Sequence, residues 1–112
     1  MDAEQALVAA EAERPRFDPW KLRVWMNARD VTCEKLAAEC GLSGRASLEV
    51  SRWQTYRTPV GPTLLARIAK ALGIEQQALL SNMQEWERNL GRYESWRADK
   101  RPPLAAWVAR NP

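Results

Sequence analysis

Leu64, Leu65, Ile68, Ala69 and Leu72 recur at helical spacing between Pro62 and Gly73. A stripe of that period demands a helix with one buried face, because a strand would scatter it over both sides. Pro62 suits the first turn, where its missing N–H costs nothing. Gly73 suits the left-handed residue just past the end, and Ile74 is the apolar residue expected after such a cap.

The same punctuation recurs along the chain. Asp18-Pro19 reads as an N-cap and a first helical residue. Trp20, Leu22, Trp25 and Met26 then share one side of a first helix over about 19–29. Thr32 is the N-cap candidate of a second helix over about 33–40, with Leu36, Ala37 and Cys40 apolar. Lys35 stands where a capping box would have Glu, and Gly41 ends the helix. Leu48, Val50, Trp53 and Tyr56 fit a third helix starting near Ser47. Residues 76–80 read as a short fifth helix. Residues 83–99 read as another, with Trp86, Leu90, Tyr93 and Arg97 on one face. Leu104, Trp107 and Val108 form an apolar triplet in the tail, and residues 2–13 are helix formers with little to bury. No stretch alternates as a strand would. The expected fold is all-α, with a five-helix domain over 19–80, a short helical arm over 1–18 and a helical extension over 81–112.

Composition removes several function classes. There is no histidine, so the usual general base and the commonest zinc ligand are missing. No paired-carboxylate cleft, glycine-rich phosphate loop or metal-ligand spacing replaces it, so neither an enzyme nor a bound cofactor or metal is expected. Cys33 and Cys40 lie two helical turns apart, about 10 Å, which is too far for a disulfide. Both read as reduced thiols, with Cys40 in the core. No apolar run is long enough to cross a membrane. The start Met1-Asp2-Ala3-Glu4 is acidic and unlike a signal peptide, so a cytoplasmic location is expected.

The net charge of +3 is unevenly spread. Residues 1–19 carry two basic and five acidic side chains, a balance of −3. Residues 20–74 carry nine against four, +5, and residues 75–112 six against five, +1. A polyanion is expected to bind the middle segment.

Four blocks then carry a resemblance. They are the run from Thr32 to Ser43 (TCEKLAAECGLS), Val50-Ser51-Arg52-Trp53-Gln54, Pro59 with the run from Thr63 to Ile74 (TLLARIAKALGI), and Gln77-Ala78-Leu79-Leu80. In this order they resemble the lambda-repressor-like family, the Cro-type or xenobiotic-response-element helix-turn-helix. Two departures stand out. Residues 44–49 separate Ser43 from Val50, more than the family places there, and Cys33 stands where the family often has Gln. The turn is then longer, or the third helix starts earlier.

The resemblance implies a transcriptional regulator that binds double-stranded DNA, with the third helix in the major groove. It further implies a homodimer on a palindromic operator, most often acting as a repressor. Candidate base- and backbone-contacting residues on and around that helix are Arg45, Ser47, Glu49, Ser51, Arg52, Thr55 and Arg57. Arginine can read guanine edges, glutamate can accept from cytosine, and hydroxyls can meet phosphate. Thr32, Lys35 and Thr58, with Arg57, are the phosphate-clamp candidates. The alternative keeps the fold without operator binding, as a protein-interaction module such as an anti-activator or antitoxin. Trp86, Trp96 and Trp107 are many aromatics for a tail, so residues 81–112 are expected to pack on a second copy or on their own domain.

Overall fold

A computed structural model describes Ala3, residues 14–42 and residues 46–112. The arm helix expected within 2–13, apart from Ala3, lies outside the described residues, as do Ser43, Gly44 and Arg45. The architecture is predominantly α-helical: α1 (Pro19–Ala28), α2 (Cys33–Glu39), α3 (Ala46–Trp53), α4 (Pro62–Leu72), α5 (Met83–Ala98) and α6 (Leu104–Arg110).

Local chemistry sets most helix ends. Asp18 caps α1 by accepting from the Trp20 N–H at 3.0 Å, and Thr32 caps α2 by accepting from the Lys35 N–H at 3.1 Å. Asn82 caps α5 through the Glu85 N–H at 2.9 Å. Gly41 (φ +75°) and Gly73 (φ +67°) take the left-handed conformation in which a Cβ would be strained.

The segment expected as a fifth helix is a single 3-10 turn, Gln76–Leu79. Leu80 and Ser81 then turn extended and pair antiparallel with Arg16 and Phe17, forming strands β1 (Arg16–Phe17) and β2 (Leu80–Ser81). The Asp18 N–H donates to the Leu79 carbonyl at 2.8 Å and continues this ladder. A four-residue segment cannot hold a helix alone, so its distant partner decides the conformation.

Two apolar clusters form. The first gathers Leu22, Met26, Leu36, Ala37, Cys40, Val50, Trp53, Leu65, Ile68, Ala69, Leu72 and Leu79 from α1 to the 3-10 turn. Here α2 packs principally on α3 and less extensively on α4. Burial raises the Cys40 thiol pKa above its ordinary value, keeping it a protonated core group. Trp25, expected in the core, is half-buried, and its Nε1 donates to the Ala78 carbonyl at 3.3 Å.

The second cluster is Trp20 of α1 with Tyr93, Trp96, Leu104 and Trp107. Trp20 meets Trp96 and Trp107 edge-on at centroid distances of 6.2 and 5.8 Å. The Trp96 Nε1 donates to the Pro102 carbonyl and the Trp107 Nε1 to Asp99 Oδ2, so both polar edges are satisfied. The extension thus packs on its own chain: α1 covers Trp96 and Trp107, while Trp86 is half-buried against Tyr56 and donates from Nε1 to the Phe17 carbonyl. The expected face of α5 is rotated. Asn89, Tyr93 and Trp96 are buried, while Arg97 is exposed.

Asp18 is 0% exposed and joins the two clusters. Its Oδ1 accepts from the Trp20 N–H and, at 2.6 Å, from the Tyr56 hydroxyl. Its Oδ2 lies 2.7 Å from both Ser81 Oγ and Asn89 Nδ2. Contacts therefore run across both expected boundaries, at 18/19 and at 80/81. Burial, then donation to Asp18, pushes the Tyr56 phenol well above its ordinary pKa, so it remains a donor.

Glu85 extends this network, taking an ion pair from Lys21 and lying 2.7 Å from Ser81 Oγ. Hydrogen bonding from Lys21, then from Ser81, holds its carboxyl below the ordinary value of 4.5. A depressed folded-state pKa means stability present above the unfolded value and lost as pH falls through the folded one. Urea midpoints of wild type and Glu85→Gln should therefore differ at pH 7 and converge towards pH 3. A pH-independent difference would show that the carboxylate charge is not involved.

Candidate nucleic-acid interface

α3 is held by its inner side. Val50 and Trp53 are buried in the first cluster, while Leu48, Glu49, Ser51 and Arg52 are exposed and Ser47 is half-buried. The helix starts at Ala46, so Val50 lies in its second turn. Of the two ways to accommodate residues 44–49, an earlier start of the helix accounts for 46–49.

The end of α3 is braced from two sides. Gln54 is buried; its Nε2 donates to the Val50 carbonyl at 3.2 Å and lies 3.5 Å from Cys33 Sγ. Cys33 opens α2, so α2 contacts through sulfur the amide of Gln54, the residue that follows α3. Arg23 of α1 donates from Nη2 to the Gln54 carbonyl at 3.1 Å, a cation at the helix C-terminus. Its guanidinium lies over Trp96 and Tyr93 at 4.6 and 5.3 Å. Desolvation lowers its pKa, Tyr93 opposes this, and nearby Arg101 lowers it further.

The sequence candidates divide accordingly. Ser47, Glu49, Ser51 and Arg52 belong to α3, with Arg52 Nη1 3.3 Å from Glu49 Oε1 in an exposed pair. The Thr55 hydroxyl donates to the Arg52 carbonyl at 2.6 Å and finishes the helix. Arg57 and Thr58 follow in the loop after Tyr56, whose positive φ of 65° turns the chain back towards α5. Thr32 and Lys35 sit together at the start of α2, where the Thr32 hydroxyl caps a helix of only seven residues. Arg45 lies outside the described residues.

Arg52, Thr55, Arg57 and Thr58 line one hollow of about 420 Å³ together with Tyr93, Arg97 and Arg101. Arg97 and Arg101 were not among the sequence candidates, because they come from the end of α5, some 45 residues beyond α3. Leu48 was also missed as a surface residue. It is 53% exposed, the only large hydrophobic so exposed among the described residues. A period-based reading treats every apolar residue as core, and only the Val50/Trp53 anchor shows that Leu48 points away.

Among the described residues no helix is long and apolar enough to cross a membrane, and no cluster of three or more His, Cys, Asp or Glu could hold a metal. Comparisons with protein families, curated proteins and solved structures find no match to this chain.

Proposed function

We propose that this chain is a sequence-specific DNA-binding transcriptional regulator that lays α3 in the major groove of duplex DNA. The observation that carries this reading is α3 itself. Its inner side is anchored by Val50 and Trp53, and its outer side offers Glu49, Ser51, Arg52 and the methyl groups of Leu48. Those groups supply the donors, acceptors and apolar contact that base edges in the major groove distinguish. The basic surplus of residues 20–74 and the family resemblance of residues 32–80 support it. Binding as a homodimer to a palindromic operator, and repression by occupying it, belong to the same proposal by resemblance.

A second reading is favoured by exposed Leu48 at the centre of that face, flanked by the Glu49–Arg52 pair. Such a face also suits docking to a protein. Selection from a random duplex pool, followed by mobility shift, separates the two. The expected result is a recovered consensus, binding that weakens steeply with salt, and a loss of about 1–3 kcal/mol on Arg52→Ala. No duplex binding even at low salt would overturn the regulator reading.

A further inference from the structure

Rank by charge sets one surface apart. Four arginines, Arg52, Arg57, Arg97 and Arg101, line the hollow between the end of α3 and the end of α5, and no acidic residue among the described residues lines it. The ion pairs within 4.0 Å among those residues are Lys21–Glu85 and Arg52–Glu49. Arg57, Arg97 and Arg101 therefore have no carboxylate partner there. Converging like charges repel, and an anion in the hollow would relieve that repulsion. Thr55 and Thr58 add hydroxyls to the same wall.

The fold holds two of these arginines in place. Arg97 is in the last turn of α5. Lys100 and Arg101 both adopt left-handed backbone (φ 69° and 53°), a costly conformation for residues with a Cβ. The Arg101 N–H donates to the Trp96 carbonyl at 3.1 Å, and its guanidinium lies 6.0 Å from the Trp96 ring centre. Arg101 is thus aimed by the second cluster.

We propose that this hollow is a backbone clamp. It would take phosphodiester groups of the DNA strand beside the major groove that α3 reads, so the C-terminal extension serves as a second, sequence-independent contact. The proposal rests on the DNA-binding reading above. Arg52 belongs to both surfaces, which makes them continuous. Arginine suits the task, since its planar fork pairs two donors with phosphate oxygens.

The test compares wild type with Arg97→Gln/Arg101→Gln on the selected duplex and on a scrambled duplex of about two helical turns. Binding is titrated over a range of KCl concentrations, and thermal unfolding checks that the variant is folded. Each phosphate contact contributes about 0.9 to the slope of log K against log salt. The variant should lower that slope by about 2 and weaken both duplexes by a similar factor, on the order of tenfold, while the selected consensus is unchanged. An unchanged slope, or a change of consensus, in a folded variant overturns the clamp and leaves α3 reading intact. If wild type binds neither duplex, the DNA-binding reading fails and the clamp fails with it. Should the double variant not fold, Arg97→Gln alone should lower the slope by about 1, and no change there overturns the clamp.

Discussion

A chain cut after Leu80 should show no cooperative thermal transition, although it keeps the whole segment expected to form the five-helix domain. Truncation removes Tyr93, Trp96, Leu104 and Trp107, leaving Trp20 of α1 to face water. Each buried aromatic withdraws roughly 150–250 Å² from solvent, worth about 4–6 kcal/mol at ~25 cal/mol per Å². Exposing Trp20 alone is a cost of that size, of the same order as the net stability of about 5–15 kcal/mol that a small domain has to lose. Truncation also strips Asp18 of Ser81 and Asn89 and ends β2 after its first residue. Circular dichroism during heating checks this. A fragment of residues 1–80 that melts sharply, with native-like helix content, would show that the second cluster is an accessory to the first.

Asp18→Ala in the full chain should cost about 3–5 kcal/mol, which is the range for removing one partner from a buried, charge-assisted network. The substitution leaves the Tyr56 hydroxyl, the Asn89 amide and the Trp20 N–H without their acceptor in a site closed to water. It also deletes the N-cap of α1. Asp18→Asn should not be silent. Each carboxylate oxygen faces two partner groups, so an amide NH₂ placed at either position points a donor at a donor. Urea unfolding followed by tryptophan fluorescence measures both variants. A shift below 1 kcal/mol for Asp18→Ala would mean that water or a rearranged side chain replaces the carboxylate.

How much of this was legible depended on how far each signal had to reach. Asp18-Pro19, Thr32, Gly41, Pro62 and Gly73 act on their own turns, and the structure places caps or helix starts at each. Residues 76–80 were legible as a short helix only up to Leu79, where a 3-10 turn ends, because Arg16 and Phe17, some sixty residues earlier, draw Leu80 and Ser81 into a ladder. The face of α5 went unread for a related reason. Asn89 is polar and breaks the apolar stripe, and its burial makes sense only beside Asp18. Tyr56 matched the helical period of α3, yet it lies beyond the helix, turned against Trp86 and Tyr93. The candidate site divided in the same way. The α3 residues followed from local pattern, whereas Arg97 and Arg101 reach the hollow only because the second cluster folds α5 across α1.

The partners of Asp18 have a consequence in time. Tyr56, Ser81 and Asn89 lie 38, 63 and 71 residues further along the chain. During synthesis the carboxylate must stay hydrated until Asn89 has left the ribosome, so the first cluster cannot close over it in final form before then. Contacts of such separation also carry a large loop-closure cost and form late on the folding route. Weakening them should therefore hasten unfolding more than it slows folding, making Asp18 a determinant of how long the native state persists once formed.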